Sequence, residues 1–209
     1  MFKVHITNLD NVFILGLGGI SGSGKSTLAK ILQARIPHSV VINFDNYYKH
    51  RPDLSFEQRQ IVNYDHPDSL EIDRLLNDLK KLLKGESIQI PVYDFSKHLR
   101  TDQTILIEPP RLLIIEGIFT TVISEVRALM DLIIYVDVDI ETAVVRRVRR
   151  DIIERGRETL QICDQLEATV IPGSKYEIAP SKRNADFIIR GDRPYEKIVE
   201  FILKMISNQ

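Results

Sequence analysis

The sequence predicts an α/β fold, a parallel sheet with helices on both faces and a phosphate-binding loop at its centre. Three observations carry that expectation. Aliphatic runs over residues 12–17, 39–44, 111–117 and 131–137 are continuous rather than alternating, as in strands buried on both faces. Segments of helical spacing lie between most of them, and alternating β and α elements give parallel sheets. Gly19-Ile20-Ser21-Gly22-Ser23-Gly24-Lys25-Ser26-Thr27 then matches G-x-x-x-x-G-K-[ST] at every fixed position, with a strand before it and a helix after it.

Residues 2–7 read as a short leading strand, because Phe2, Val4 and Ile6 alternate with polar residues. The first buried strand delivers the glycine loop. Its backbone can turn N–H groups around an anion, and the following helix adds its positive dipole end. Leu28, Ile31 and Leu32 share one face of that helix. Lys25 is placed to reach the β- and γ-phosphates, and the Ser26 hydroxyl to ligate Mg²⁺. The second strand delivers Asp45 at its carboxyl end, where ligands bind in open parallel sheets. In isolation, an exposed loop aspartate or a helix cap would look the same.

Residues 50–68 read as a long polar connection, a length that often marks function. An amphipathic helix is expected over 69–84, capped by Asp68 or Ser69 and stopped by Gly85. Leu70, Ile72, Leu75, Leu76, Leu79, Leu82 and Leu83 form its apolar face. Residues 87–93 and 104–108 read as a β-hairpin insertion spanning about 87–108. Between these strands, residues 93–100 hold Tyr93, Phe95, His98 and Arg100. Such a loop suits recognition of a flat heterocycle, and equally an exposed hairpin tip.

The run 111–117 ends in Glu116, the form of a second phosphate-site element that holds Mg²⁺ directly or through water. Apolar strands ending in Glu are common, so its weight comes from the phosphate loop upstream. A helix over 119–130 leads to the fourth parallel strand, 131–137. Residues 140–157 then carry Arg146, Arg147, Arg149, Arg150, Arg155 and Arg157. They could form a nucleic-acid patch, or a solvated face shared with Asp151 and Glu154. They could also form a lid over about 146–160 that closes guanidinium forks onto phosphates, with Gly156 as hinge. Low net charge disfavours the first reading, and the phosphate loop favours the lid. Residues 159–168 read as helix and 170–183 as irregular, with Pro172, Gly173 and Pro180. A last strand at 186–190 and a closing helix at 194–206, with Pro194 in its first turn, complete the chain.

Composition sets the outer limits. A length of 209 residues suits one domain with insertions, and no Pro/Gly/Ser-rich linker, repeat or low-complexity segment divides it. A net charge of −1 gives no global field for nucleic acid or acidic membranes. No apolar run approaches the roughly 20 residues of a membrane helix. Cys163 stands alone, so no intrachain disulfide or multi-cysteine zinc site can form. The opening Met1–His5 starts no signal peptide, and the expectation is a cytoplasmic protein. No D-x-x-G, N-K-x-D or S-G-G-Q element occurs, which disfavours a GTPase switch and a transporter ATPase. A small-molecule kinase needs a second pocket, an acid near the acceptor hydroxyl and an arginine lid, and the chain has candidates for all three.

Over about residues 13–190 the chain resembles the uridine kinase (uridine–cytidine kinase) family of P-loop nucleoside kinases. The carriers are Asp45-Asn46-Tyr47-Tyr48, where Ser-Phe would be commoner at 46–47, and Asn63-Tyr64-Asp65-His66-Pro67. Further carriers are Tyr93-Asp94-Phe95 with His98 and Arg100, Glu116-Gly117-Ile118, and Arg149-Arg150-Asp151 with Glu154-Arg155-Gly156-Arg157. The resemblance implies a P-loop NTPase-type fold and transfer of the γ-phosphate of ATP or GTP, with Mg²⁺, to the 5′-hydroxyl of uridine and cytidine in pyrimidine salvage. By the same resemblance, Asp45 accepts the hydroxyl proton, and Asp65 and Arg147 hold the ribose. Tyr93 and His98 bind the pyrimidine edge, and Tyr48, Tyr64, Phe95 and Gln165 shape the pocket. Arg150, Arg155 and Arg157 clamp phosphates. A tetramer is implied as well. Ala179 stands where Glu is usual and Asn184 where Tyr is usual, in a segment expected near the adenine side or a subunit contact. The rivals are a kinase for another small alcohol (nicotinamide riboside, pantothenate or a sugar phosphate) and a non-catalytic nucleotide-binding regulator.

Overall fold

In the computed structural model, which describes residues 12–207, each aliphatic run becomes a strand. The expected strand at 2–7 lies outside the described residues. In chain order the strands are β1 (Phe13–Gly18), β2 (Ser39–Asn43), β3 (Ile88–Asp94), β4 (Leu99–Ile107), β5 (Leu112–Glu116), β6 (Leu132–Asp137) and β7 (Phe187–Arg190). The α-helices are α1 (Lys25–Arg35), α2 (Phe56–Gln60), α3 (Ile72–Leu83), α4 (Ser124–Arg127), α5 (Ile140–Ile153), α6 (Thr159–Gln165), α7 (Ile171–Gly173) and α8 (Glu196–Ser207). Five strands form a parallel sheet in the order β2-β5-β1-β6-β7, and β3 and β4 form a separate antiparallel hairpin.

The sheet explains why the runs are continuous. Phe13, Leu15 and Leu17 of β1 enter a core closed by Leu28 and Leu32 of α1 and by Val199, Ile202 and Ile206 of α8. Ile14 enters the opposite core, with Ile42, Ile115, Phe119 and Leu75, Leu79 and Leu82 of α3. A strand covered on both sides has no solvent face to make polar, and each fully buried Leu or Ile contributes roughly 1.5–3 kcal/mol. β7, at the sheet edge, alternates between half-buried and exposed residues instead. No helix among the described residues is long and apolar enough to cross a membrane.

Several expected elements differ from what forms. The helix expected over 69–84 begins only at Ile72, and neither Asp68 nor Ser69 caps it. Ser69 Oγ instead donates to the carbonyls of Tyr64 and His66 within a tight turn, and Leu70 bridges to Tyr48. Its far end does stop at Gly85 (φ 79°). Gly85 N–H bonds to Leu82 O and Glu86 N–H to Lys81 O, the two bonds of a glycine-terminated helix end. The helix expected over 119–130 shrinks to α4. Thr120 to Ile123 are β-branched, and the Thr120 and Thr121 hydroxyls bond to Gly117 O and Ser181 Oγ, so turns form in place of a helix. Tyr93 and Arg100 belong to the hairpin strands, leaving a shorter tip than expected.

Two segments are more ordered than expected. Within 50–68, α2 forms with a reciprocal cap: Ser55 Oγ accepts from Gln58 N–H, and Gln58 Oε1 accepts from Ser55 N–H. The stretch 170–183 is helical rather than irregular, running on from α6 through α7 in partly widened turns. Proline cannot donate the usual bond four residues back and crowds that carbonyl. Ala179 N–H reaches Ser174 O in one widened turn. Pro172 and Pro180 each stand in the first turn of the next helical piece, α7 and a tight turn over Pro180–Asn184, where the missing N–H is tolerated.

Candidate active site

β1 lies between β5 and β6, so the chain leaves it at the point where successive connections diverge to opposite sides of the sheet. The glycine loop emerges there. Gly19, Gly22 and Gly24 have φ of 139°, 84° and 107°. At Gly22 a Cβ would also collide with the Ala143 carbonyl oxygen, so this position needs glycine for both conformation and space. Lys25 opens α1 and is buried. Its Nζ donates to Ile20 O (3.0 Å), which folds the side chain back over the loop. Burial pulls its ammonium down to about 8, against an upward pull from Glu116. Ser26 Oγ donates to Glu116 Oε1 at 2.8 Å. β5 carries Glu116 beside Leu17 at the end of β1, which is what brings this carboxylate to the loop.

A cavity of about 900 Å³ opens above the sheet's carboxyl edge. Ser21, Gly22, Gly24, Lys25, Ser26, Thr27 and Glu116 line it, and so does Asp45, near enough to Lys25 and Glu116 to act on their charges. Asp45 sits in a tight turn after β2 (Phe44–Tyr47) that is fastened on two sides. Asn46 Nδ2 donates to Pro91 O (2.9 Å) on β3, and buried Tyr47 donates its hydroxyl to Asp78 Oδ2 (3.0 Å) on α3. Gly19 and Ser23 do not line the cavity. Ser23 is fully buried beneath the loop, so these two shape it from behind.

Beyond Asp45 the wall becomes aromatic. Tyr48 meets Tyr64 edge-on (5.0 Å between centroids) and Tyr93 at 5.2 Å, and Phe95 meets Tyr93 at 5.3 Å. His98 stacks on Tyr64 at 5.2 Å and 19°. Its left-handed backbone (φ 51°) turns the hairpin tip inward. Burial, then Arg157 and Arg155, pull its imidazole down to about 4, so it is neutral at neutral pH. A neutral imidazole offers one donor and one acceptor. The buried hydroxyls of Tyr64 and Tyr93 lack well-formed hydrogen-bond partners. This wall can therefore take a flat ring that carries its own polar edge.

The arginine segment closes the cavity. Arg147 is buried and grips Asp65 with two nitrogens, at 3.1 and 3.4 Å, and reaches Gln165 at 3.2 Å. Arg157 also reaches Gln165 (2.8 Å). Arg155 lies 3.9 Å above the Phe95 ring and 3.8 Å from Asp45. Arg150 lines the cavity, whereas Arg149 is exposed on the far side of α5.

The structure thus gathers the other expected site residues around one cavity. Among the motif residues that do not line it, Arg100 pairs with Glu71 (2.8 Å). The segment with Ala179 and Asn184 does not reach the cavity either. Asn184 donates to Thr121 O (2.9 Å), and Gly191 and Tyr195 flank the loop in its place. Two placements escape a motif reading. Tyr195 donates to Gly24 O (3.3 Å) from the far end of the chain, which no local pattern announces. Asp151 is fully buried among the arginines; its signal was the i,i+4 spacing to both Arg147 and Arg155.

Comparison with known proteins fixes the class. Residues 14–195 match the Phosphoribulokinase / Uridine kinase family. The chain belongs to that family. As a family member it is a P-loop phosphotransferase. A uridine kinase from Macrococcus caseolyticus is 43% identical over 178 residues, spanning 84% of this chain and 86% of that protein. A uridine kinase from Streptococcus uberis is 40% identical over 178 residues, 84% of this chain and 85% of that one. The solved phosphoribulokinase from Rhodobacter spheroides shares the fold at a TM-score of 0.62, with 17% identity, covering 89% of this chain and 74% of the other.

Proposed function

We propose that this phosphotransferase transfers the γ-phosphate of ATP or GTP to the 5′-hydroxyl of uridine, and of cytidine, as a step of pyrimidine salvage. One observation carries the reading. Lys25 and Asp45 line one cavity, close enough for the Asp45 carboxylate to favour the Lys25 ammonium, and the Tyr48, Tyr64, Tyr93 and His98 cluster lines it too. The donor triphosphate lies in the loop and the nucleoside ring against the aromatic wall, which brings the 5′-hydroxyl beside Asp45. Asp45 takes the hydroxyl proton as the oxygen bonds to the γ-phosphorus, and the bond to the β-phosphate oxygen breaks, releasing ADP or GDP. Such a transition state needs alignment and charge neutralisation above all. Lys25, Arg150, Arg155 and Arg157 supply positive charge on either side. Asp65 and Arg147 hold the ribose hydroxyls, and Tyr93 and His98 pair with the pyrimidine edge while Phe95 and Gln165 limit its pocket.

The oxygens of Ser26 and Glu116 suit Mg²⁺, which takes one or two protein oxygens plus substrate phosphates. Among the described residues no group of three or more His, Cys, Asp or Glu is placed to hold a metal ion by itself. Ser26 and Glu116 would hold it, and when bound it neutralises charge on the transferring phosphates. The reading includes a cytoplasmic tetramer, as the resemblance implies, checked by fractionation and sedimentation.

The test is ADP release with Mg²⁺ across a panel of nucleosides and other small alcohols. Turnover that depends on uridine or cytidine is expected. Release only with a different alcohol, or retention of nucleotide without turnover, overturns the reading.

A further inference from the structure

Asp151 lies on the inner face of α5 with no exposed surface. Four guanidinium groups surround it. Arg150 donates Nε and Nη2 to Oδ1 at 2.9 and 2.8 Å, and Arg155 Nη1 lies 3.4 Å from the same oxygen. Arg157 Nη1 is 3.2 Å and Arg147 Nε 3.7 Å from Oδ2. The chain also folds back so that Arg157 N–H bonds to Asp151 O (3.0 Å), through Gly156 at φ 60°. Three of these arginines hold a second group elsewhere in the cavity: Arg147 holds Asp65, Arg155 meets Asp45, and Arg157 reaches Gln165. The four would repel one another strongly if nothing negative stood between them.

We propose that Asp151 is a positioning residue that sets the four guanidinium groups in their working order before nucleotide arrives, each fixed on one side by this carboxylate. A buried carboxylate is costly unless paired. Burial pushes Asp151 up, but Arg150, Arg155 and Arg147 outweigh it and hold the group below the usual carboxylate range. It therefore stays negative among the four arginines.

The sign of its charge separates this role from phosphate binding. Asp151 is an anion in a cavity that takes anions, so removing its charge must raise the local positive potential. Asp151→Asn, close to isosteric, is expected to bind β,γ-imido-ATP as tightly as the parent protein or more so. Its turnover falls about 100-fold, the scale of a misplacement near 1 Å. A side chain serving only to stabilise the fold would lower melting temperature and move both quantities with the folded fraction.

The inference rests on the kinase reading, yet its affinity arm uses the donor analogue alone. A wrong acceptor would leave that arm intact, and turnover would then be read with whichever alcohol the parent protein uses. Calorimetry with β,γ-imido-ATP and single-turnover rates on folded protein decide it. Lower affinity in Asp151→Asn, or parental turnover, overturns the proposal. Should that variant not fold, Asp151→Glu keeps the charge but moves the carboxylate. It is expected to bind the analogue at parental affinity with turnover about tenfold lower, and parental turnover would overturn the idea equally.

Discussion

On the proposed function, the donor end of the cavity is built from one consecutive stretch, the glycine loop and the start of α1. At the acceptor end, side chains come together from the turn after β2, from Tyr64 and Asp65, from the hairpin, from α5 with its following turn, and from Gln165. A backbone cradle recognises what all nucleoside triphosphates share. A ring-reading wall of tyrosines and a neutral histidine can reject an acceptor whose edge leaves those polar groups unpaired. On the proposed function, the comparison makes chemistry and specificity separable. Of the arginines around Asp151, Arg155 meets both Asp45 and Phe95, and Arg147 holds Asp65.

The largest effect should come at Asp45. Asp45→Asn is expected to cut turnover about 10³-fold while leaving affinity for an ATP analogue unchanged. Steady-state ADP release and calorimetry check this, and loss of both together would break the separation of the two ends. The donor-side counterpart is Gly22→Ala. A side chain there meets a backbone carbonyl at a positive φ, so strain on the order of 2–3 kcal/mol should weaken analogue binding about 100-fold. Nucleoside binding, read separately, should hold.

His98 sharpens the comparison through pH. Its folded value near 4 lies below 6.5, so between these values the unfolded chain binds the extra proton. Its contribution is intact above 6.5 and is lost as pH falls toward 4, by about 3 kcal/mol in all. Urea unfolding near neutral and near pH 5 should show the loss, and His98→Gln should flatten it. An unchanged slope in that variant would mean that another group titrates. The smallest effect is expected at Tyr47→Phe, which leaves buried Asp78 without its donor. Stability should fall by about 1–2 kcal/mol, with a modest fall in turnover from a looser Asp45 turn.

The two ends also differ in how far they were legible beforehand. Lys25, Ser26 and the glycines form one contiguous motif whose geometry is local, so sequence alone places them. Asp45 and Glu116 are legible because strand ends in a parallel sheet collect at one edge. Tyr195 on Gly24, and Tyr47 on Asp78, depend on packing between distant segments and leave no periodic trace. The Asp151 cluster is intermediate. Its helical spacing is plain, but Arg157 joins only because the chain turns back at Gly156. Residues 50–68 hide a readable signal, since Ser55 and Gln58 stand at capping-box spacing before α2. Pro172 and Pro180 mislead in the other direction, because each stands in the first turn of a new helical piece, where a missing N–H is tolerated.

The central claim is that donor and acceptor meet between Lys25 and Asp45. A crystal structure with uridine and β,γ-imido-ATP bound together tests it most directly. The account predicts the uridine 5′-oxygen within about 2.6–3.2 Å of an Asp45 carboxylate oxygen, facing the γ-phosphate, with the ring edge at Tyr93 and His98. A nucleoside seated away from Asp45, or in a pocket that Lys25 does not share, would contradict it.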